Sequence, residues 1–163
     1  MKSTGITRKI DELGRIVIPK EIRKNLNIRE GESLEILTNE DYILLKKNSQ
    51  IAKYDNICQK ICSIINETYN INVIITDREK VIASSRKELE SKFINKELQS
   101  YIDNRTFTHG EKILTIGNNK IMGNNWIFPI IDESDAIGLV ILNVNSTDNY
   151  NNLGKMLVRF IIR

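Results

Sequence analysis

The first 24 residues constrain the fold of this chain more than any other segment, because they combine two short apolar runs, a glycine turn and a proline. Residues 5–11 and 15–19 each have the length and β-branched content of a strand, and residues 12–14 between them end on a glycine. Pro19 has no backbone N–H for a sheet ladder but suits the first turn of a helix. We therefore predict a hairpin followed by a short helix over residues 20–26.

A second hairpin is expected after this helix. Residues 33–38 and 42–47 are apolar-rich runs around a polar turn, so residues 1–50 follow the pattern β-β-α-β-β. Ile22 and Leu26 are spaced i, i+4 and are expected to face the core of this domain. A domain of about 50 residues with neither a disulfide nor a metal site buries little surface. We therefore expect a second copy of the chain to complete it as a dimer.

Positive charge is concentrated in the same segment. Residues 1–29 contain eight lysines and arginines against three acids, a local net charge of +5, whereas the whole chain carries +3. Residues 30–50 reverse the sign, with five acids against two lysines. A fixed array of cations attracts a polyanion. The charge pattern therefore indicates a nucleic acid as the partner of the first segment.

Spaced positions in this segment follow one motif: Thr-Gly, a basic pair, Asp-x-Leu-Gly-Arg, a β-branched run ending in proline, and a helix with Glu-x-Arg-basic. The positions are Thr4, Gly5, Arg8, Lys9, Asp11, Leu13, Gly14, Arg15, Pro19, Glu21, Arg23 and Lys24. On this motif the chain resembles the AbrB family of transition-state regulators over about residues 2–47. The resemblance implies a swapped-hairpin dimer that forms one small β-barrel and binds double-stranded promoter DNA, often A·T-rich, with a loose consensus.

The resemblance also implies which side chains contact DNA. Carried over by position, they are Arg8, Arg15, Arg23 and Lys24. The family commonly has arginine where this chain has Lys24, and lysine offers a point charge instead of a rigid two-pronged donor. Strict strand alternation would place Arg8 on the same face as Ile6 and Ile10. We therefore expect twist, a bulge or an edge position to expose the Arg8 charge.

Recognition is expected to depend mainly on phosphate contacts and DNA shape, because a helix over residues 20–26 is too short to fill a major groove alone. Two alternatives stay open for the basic surface. One is an antitoxin-like module, since the swapped-hairpin fold also serves small antitoxins that bind a toxin through an acidic tail. The other is a protein-interaction module whose basic face binds an acidic partner.

Residues 51–163 form a second predicted domain. Apolar residues at helical spacing predict helices over residues 54–69, 87–102 and 153–161. Runs rich in β-branched residues predict strands over residues 71–76, 80–84, 113–116, 126–131 and 136–144. This order of elements is that of a GAF-like or PAS-like sensor domain, an antiparallel sheet with flanking helices. The whole chain is therefore predicted to be an α+β protein.

A GAF-like domain implies a ligand pocket, and the irregular stretch over residues 103–125 is the expected pocket wall. The candidate wall residues are Phe107, His109, Gly117 and Gly123. Two interpretations stay open: the domain binds an unidentified small molecule, or it is purely structural. Helices over residues 54–69 and 153–161 are expected to join two dimers into a tetramer. An AbrB-type segment followed by such a domain resembles the sporulation regulators of the family, which implies sporulation genes as targets.

Catalytic and cofactor-binding motifs are absent from the sequence. Cys58 and Cys62 are spaced for half of a metal site, but His109 is the single histidine and a third cysteine is lacking, so reduced core cysteines and no metal are expected. Neither a Walker loop nor a dinucleotide-binding glycine pattern occurs, so we expect no enzyme activity and no cofactor. The amino terminus lacks a signal peptide and no apolar run reaches about 18 residues, which predicts a cytoplasmic protein without a membrane span.

Overall fold

The computed structural model describes residues 3–162 and divides the chain into two compact units. The amino-terminal unit ends at Asn48, and the carboxy-terminal unit begins at Ser49. Each unit has its own secondary structure and is described separately below.

The amino-terminal unit contains one helix and one hairpin within its described residues, 3–48. These elements are α1 (Lys20–Asn25), β1 (Leu34–Asn39) and β2 (Tyr42–Lys47), with β1 and β2 antiparallel. Helix α1 begins directly after Pro19, whose carbonyl accepts a hydrogen bond from the Arg23 N–H at 3.0 Å. The predicted helix and second hairpin are confirmed, with bounds that differ by one residue or less.

Residues 3–19 form no strand in the single chain. They run on both sides of a turn at which the Asp11 N–H donates to the Arg15 carbonyl at 3.0 Å. A β-strand needs a neighbouring strand to satisfy its backbone groups, and the described part of this chain pairs none with residues 5–11 or 15–19. The two strand predictions are therefore wrong for one chain, because the turn is encoded locally but the ladder requires another segment.

No described side chain of the amino-terminal unit is buried. Ile22 is half-buried and Leu26 is exposed, so the predicted packing of these two residues into a core is wrong for the single chain. The hairpin likewise exposes apolar side chains, and Ile36 and Ile43 are 67% and 68% exposed. The unit thus has regular secondary structure without a core of its own.

The carboxy-terminal unit is built around an antiparallel sheet. Its elements are α2 (Asp55–Tyr69), β3 (Asn72–Asp77), β4 (Val81–Ser84), α3 (Lys96–Asp103), β5 (Thr108–Glu111), β6 (Leu114–Ile116), β7 (Asn119–Ile121), β8 (Asn124–Asp132), β9 (Asp135–Val144) and α4 (Asn151–Ile161). Five of the strands form one sheet in the order β4-β3-β9-β8-β5, and β6 and β7 form a separate hairpin. The predicted mixture of helices with an antiparallel sheet is confirmed.

The large sheet separates two apolar cores, because alternate residues of a strand point to opposite faces. On one face, Leu142 packs in a cluster with Cys62 of α2 and Leu157 of α4. On the other face, Ile141 packs in a cluster with Leu98 of α3. Helices therefore flank both faces of the sheet.

Helix α4 lies close against β8 at Gly154. A Cβ atom at this position would overlap the Phe128 ring, so the glycine permits the close approach of helix and sheet. Leu157 and Ile161 follow at helical spacing and are buried on the same face. The helices predicted over residues 54–69 and 153–161 are confirmed as α2 and α4.

The helix predicted over residues 87–102 is wrong in its first half. Lys87–Leu89 form one 3-10 turn, Ser91 has a φ of 61°, and α3 begins only after Asn95. The side-chain oxygen of Asn95 accepts a hydrogen bond from the Leu98 N–H at 2.9 Å, which is the geometry of a helix N-cap. Apolar spacing continues across this cap, and for that reason the periodicity overextended the helix.

Residues 103–125 contain β5, β6 and β7, of which β6 confirms the strand predicted over residues 113–116, whereas β5 and β7 lie in parts expected to be irregular. The order of elements is therefore helix, two strands, helix, five strands and helix. These strands are at most four residues long, and β5 and β7 contain mainly polar residues and glycine. Apolar runs do not reveal β5 and β7, because pairing with β8 and with β6 stabilises these two strands.

Candidate nucleic-acid interface

Asp11 organises the turn that precedes Arg15. Its Oδ1 accepts hydrogen bonds from the N–H groups of Leu13 at 3.0 Å and Arg15 at 2.8 Å, and its Oδ2 accepts one from Arg15 Nε at 2.8 Å. The Asp11 carbonyl accepts a hydrogen bond from the Gly14 N–H at 2.9 Å, and Gly14 has a φ of 74°, which glycine adopts without steric cost. The Asp-x-Leu-Gly-Arg motif therefore holds Arg15 by its backbone and by its side chain.

These contacts determine the charge state of the turn. The Arg15 backbone N–H, followed by the Arg15 guanidinium, lowers the pKa of the Asp11 carboxyl group from its ordinary value of 3.8. Asp11 is therefore ionised at neutral pH and pairs with Arg15. The Arg15 side chain is still 71% exposed, and a guanidinium carries five N–H donors. Arg15 is thus oriented by Asp11 while it retains donors for a second partner.

Arg8 lies in the extended segment before this turn. Its Nη1 donates a hydrogen bond to the Thr7 carbonyl at 2.8 Å, and its side chain is exposed. Ile6 and Ile10 are exposed as well. Because residues 5–11 form no strand in the single chain, the expected conflict between the Arg8 charge and its apolar neighbours does not arise there.

Arg23 and Lys24 occupy the last turn of α1, and both are exposed. Cations at this end of a helix are favoured by the helix dipole. Within residues 3–162, no acidic side chain forms an ion pair with either residue. Lys47 of β2 donates a hydrogen bond to the Asn27 carbonyl at 3.0 Å and so connects the end of the helix to the hairpin. The two cations therefore lie on a helix whose end is anchored to the hairpin, and both remain accessible to an anion.

The four predicted site residues lie in three segments of the amino-terminal unit. Arg8 precedes the turn, Arg15 follows it, and Arg23 and Lys24 share one helical turn. All four side chains are exposed. Arg23 and Lys24 are thus neighbours on α1, and Arg15 is oriented by Asp11. This arrangement offers exposed cations to a polyanion.

Two residues that support these cations were not assigned a role from the sequence. Asp11 had a usable signal, because an acid four residues before an arginine with a Leu-Gly pair between them is the pattern of a closed turn. Lys47 had none, because the carbonyl that it contacts belongs to Asn27, 20 residues away. Only the folded hairpin brings that pair together.

The cysteines of α2 behave as core residues. Burial is the main cause that raises the pKa of the Cys58 thiol to about 11 and that of Cys62 to about 12, so both stay protonated at neutral pH. Across residues 3–162, no cluster of three or more His, Cys, Asp or Glu side chains is placed to hold a metal ion. None of the helices in that range combines the length and apolar character that crossing a bilayer requires.

Two of the predicted pocket-wall residues, His109 and Gly123, line a cavity of about 720 Å³ in the carboxy-terminal unit. Phe107 and Gly117 are not among its lining residues. His109 lies in β5, not in a loop as expected, and its ring stacks on Trp126 with ring centroids 4.4 Å apart. The cavity thus shares two of the four expected wall residues, and a ligand for it stays a prediction.

Comparison with known proteins gives the class to which this chain belongs. Residues 54–161 match the family model described as stage V sporulation protein T C-terminal, transcription factor. Residues 7–53 match a model described as antidote-toxin recognition MazE, bacterial antitoxin. The chain is therefore a bacterial-type transcription regulator with an AbrB/MazE-type amino-terminal segment. It belongs to the stage V sporulation protein T family.

Individual relatives agree with this assignment. Stage V sporulation protein T of Bacillus subtilis (strain 168) is 36% identical over 150 residues, which cover 87% of this chain and 84% of the relative. Transition state regulatory protein AbrB of the same organism is 36% identical over 100 residues, 61% of this chain and 96% of the relative. The solution structure of the N-domain of the transcription factor AbrB is 58% identical over 29% of this chain and 92% of that chain, with a TM-score of 0.28. The sequence matches confirm the predicted resemblance to the AbrB family.

Proposed function

We propose that this protein regulates transcription of sporulation genes by binding promoter DNA through its amino-terminal unit. The observation that carries the proposal is the exposure of Arg8, Arg15, Arg23 and Lys24 in a segment that matches a transition state regulatory protein. The link to sporulation rests on the name of the relative stage V sporulation protein T. The matched families are described as a transcription factor and an antitoxin, and we propose neither catalysis nor a cofactor for this chain.

The amino-terminal unit is proposed to act as a swapped-hairpin dimer. Its apolar side chains at Ile10, Leu13, Ile16 and Val17 are all exposed in the single chain. Contiguous exposed apolar surface is unfavourable in water and marks a contact site. A second copy would pair with the extended residues 5–11 and 15–19 and would cover this surface within a small β-barrel.

In such a dimer, the cations of both chains would neutralise phosphates and respond to the shape of the grooves. Helix α1 is six residues long, which is too short to fill a major groove alone. Lys24 supplies a point charge that suits a phosphate better than a base edge. We therefore propose that the protein binds deformable, A·T-rich promoter DNA with a loose consensus.

The carboxy-terminal unit is proposed to be a GAF-like domain that joins two dimers into a tetramer. Helices α2 and α4 bury one stripe against the same sheet face, but each also exposes apolar side chains. The exposed residues are Ile57 and Ile64 on α2 and Met156 and Phe160 on α4. Packing of these residues against the same helices of a second dimer would bury them. One assembly would then carry two DNA-binding units and would gain avidity on paired sites.

The proposal is tested by fluorescence anisotropy of the full chain on a labelled A·T-rich promoter duplex across a salt series. The logarithm of the affinity should fall against the logarithm of the salt concentration with a slope of about −4 to −7, because about four to eight counterions are released per dimer. The double variant Arg15→Ala, Arg23→Ala should bind about 100-fold more weakly, since each dimer loses four charge-assisted contacts.

The matched control is the double variant Lys96→Ala, Lys120→Ala. It removes the same charge from exposed positions of the carboxy-terminal unit and should bind within about twofold of the unchanged protein. No binding at low salt would overturn the DNA-binding proposal. Equal weakening in both double variants would show that net charge, and not the proposed surface, determines the affinity.

A second candidate function is a protein-interaction or antitoxin-like module whose basic face binds an acidic partner. The match of residues 7–53 to the MazE antitoxin model favours this candidate. DNA association that requires an added protein partner and is insensitive to the Arg15→Ala, Arg23→Ala pair would support it. Direct, salt-dependent binding by the purified protein would argue against it.

A further inference from the structure

The carboxy-terminal unit contains a cavity that DNA binding and assembly leave unused. It opens where the edge strand β5, the start of β8 and the end of β9 meet the segment that leads into α4. Its walls include His109, Glu111, Asn124, Trp126, Asn145 and Thr147. His109 lies opposite Trp126 and Glu111 lies opposite Asn124 in the β5–β8 ladder, so these four side chains share one face. That face is the one covered by α4, because Trp126 and Leu157 belong to the same core.

Two buried polar atoms of this wall have no hydrogen-bond partner within the described part of the chain. One is the indole N–H of Trp126, a residue that is only 6% exposed, and the other is the amide Oδ1 of Asn124. Buried polar groups in native proteins are almost always paired with protein, water or a ligand. A molecule in the cavity that displaces the side chains over these two atoms would meet a donor and an acceptor on the same wall.

The wall is held in place by buried amide groups. Asn124 Nδ2 donates to the Ser146 carbonyl at 3.2 Å, which leaves its Oδ1 as the unpaired atom. Asn125 Nδ2 donates to the Lys112 carbonyl at 2.8 Å, and Asn143 Nδ2 donates to Asn125 Oδ1 at 2.9 Å. Binding to a wall that is already ordered costs less conformational entropy than binding to a mobile loop.

The aromatic part of the wall suits a ring. The imidazole of His109 lies nearly parallel to the indole of Trp126, at an interplanar angle of 14°, and His109 is exposed. Tyr150 meets the other side of this group edge-on, with its ring centroid 6.2 Å from that of Trp126. The Phe107 ring also contacts His109, with centroids 5.7 Å apart, and because His109 is exposed its side chain can turn away from Trp126 to uncover the indole N–H.

The charge of the wall selects against anions. Among the described residues that line the cavity, none is a lysine or an arginine, and Glu111 supplies a carboxylate. Phosphate or carboxylate groups would be repelled by Glu111 and would find no cation to pair with. Apart from the His109 imidazole and the Trp126 indole, the other polar lining side chains are uncharged amides and hydroxyls, which bind hydroxyl and carbonyl groups of a neutral molecule.

We propose that this cavity binds an uncharged, hydroxylated ring compound, the chemistry that nucleosides and sugars share. The inference extends the proposed function, since it assigns a ligand class to the regulatory unit. Once His109 has turned away from Trp126, the donor of Trp126 and the acceptor of Asn124 bind the polar edge of the ring, and the imidazole of His109 stacks on its face. Glu111 excludes phosphorylated forms of the same compounds.

The test uses the full chain and observes the cavity directly. Trp126 is the single tryptophan of the protein, so its indole N–H gives one resonance in a ¹H–¹⁵N spectrum. The probes are adenosine, uridine, D-glucose and adenosine 5′-monophosphate. We expect a saturable shift of this resonance with at least one uncharged probe, at a Kd below about 1 mM. Adenosine and uridine distinguish a nucleoside source from a sugar source, which D-glucose represents.

Two variants test the details. Glu111→Gln should leave the response to uncharged probes unchanged and should raise the affinity for the monophosphate by about fivefold, because the repulsion between like charges is removed. Asn145→Phe places a large side chain in the cavity and should abolish the shift. Its matched control, Asn118→Phe, makes the same change in the exposed turn between β6 and β7 and should bind like the unchanged protein.

The inference is overturned if none of the uncharged probes shifts the indole resonance at concentrations up to about 10 mM. It is also overturned if Asn145→Phe and Asn118→Phe respond alike, or if the monophosphate binds more tightly than adenosine. Promoter binding is measured separately. Loss of DNA binding with a retained indole shift would remove the proposed function alone, and the reverse result would remove only the ligand site.

Discussion

In the carboxy-terminal unit, Leu139, Ile141 and Leu142 of one strand are fully buried, whereas Ile36 and Ile43 of an equally regular hairpin in the amino-terminal unit are about two thirds exposed. The sheet of the carboxy-terminal unit has helices on both faces, while β1 and β2 pair only with each other in a single chain. Apolar residues form strands in both units, but only a second layer buries them. The comparison shows that the carboxy-terminal unit buries cores of its own and that the amino-terminal unit buries none in a single chain.

Polar contacts differ between the units in the same way. In the amino-terminal unit, the Asp11 carboxylate accepts the hydrogen bond of the Arg15 N–H, only four residues along the chain. In the carboxy-terminal unit, Asn143 contacts Asn125 and Asn72, which belong to two different neighbouring strands. Local hydrogen bonds determine the shape of a turn, whereas long-range ones hold layers together. In a single chain, the amino-terminal unit therefore has a defined turn and helix but no buried core.

The largest effect is expected from the truncation of a buried side chain in the carboxy-terminal unit. Leu139 is fully buried in the core that includes α3, so Leu139→Ala should lower the free energy of unfolding by about 2–5 kcal/mol through lost transfer energy and an unfilled cavity. Denaturant unfolding followed by Trp126 fluorescence measures it. Met122→Ala, at an exposed position of the same unit, should cost about 0.5 kcal/mol or less by the same probe. Similar costs for the two variants would contradict the placement of Leu139 in that core.

The next effect tests whether a partner completes the amino-terminal unit. Ile36→Asp changes a side chain that is exposed in one chain but would be buried in the proposed dimer. Burial of a carboxylate in that interface should cost about 3 kcal/mol of dimer stability and abolish promoter binding. Analytical ultracentrifugation and anisotropy measure the two effects. Asn39→Asp, on the opposite face of the hairpin, is the control, and an unchanged dimer in Ile36→Asp would exclude this face as the interface.

A smaller effect concerns assembly through the carboxy-terminal unit. Ile64→Lys places a charge in the proposed contact between dimers and should raise the dissociation constant of the tetramer at least tenfold, about 1.4 kcal/mol. The fold of the unit should be unaffected, because Ile64 is exposed in the single chain. Light scattering over a dilution series measures the change. Asn56→Lys on the same helix is the control, and equal behaviour of the two variants would move the interface elsewhere.

The smallest effect is the pH dependence of the turn. The Arg15 N–H and then its guanidinium lower the pKa of Asp11 in the folded chain, so the stabilisation from Asp11 is fully present above about pH 5 and is lost as the pH falls through the lowered pKa. An NMR titration of the Asp11 carboxyl group should show a pKa below 3.8. Asp11→Asn should remove the acid sensitivity of the turn, whereas Glu12→Gln should preserve it. An unshifted Asp11 pKa would contradict the observed hydrogen bonds.

Secondary structure was predictable where the periodic signal was long and ended by a clear residue. Pro19 marked the start of α1, and the apolar stripe of residues 54–69 identified α2 to within one residue. The same signal failed over residues 87–102, because the Asn95 cap interrupts a stripe that continues in the sequence. It also missed β5 and β7, which contain mainly polar residues and glycine and are stabilised by pairing with β8 and β6.

The sequence predicted the residues of the candidate site but not the contacts that hold these residues in place. The motif alone identified Arg8, Arg15, Arg23 and Lys24 as the proposed DNA contacts, and the structure leaves each of them exposed. The anchoring of α1 by Lys47 spans 20 residues and has no local signature. The cavity was anticipated through His109, but the unpaired atoms of Trp126 and Asn124 became visible only when β5 and β8 paired.

The sequence by itself determined the family, the turn at Asp11, the position of α1 and the sign of the charge that the amino-terminal unit presents, because motif spacing and local hydrogen bonding are properties of neighbouring residues. Tertiary structure decided which apolar residues are buried, where α3 begins and that a polar cavity lies beside Trp126. These features depend on strand pairing and on the close approach of α4 at Gly154. Contacts between residues far apart in the chain have no local pattern, and only the folded protein reveals them.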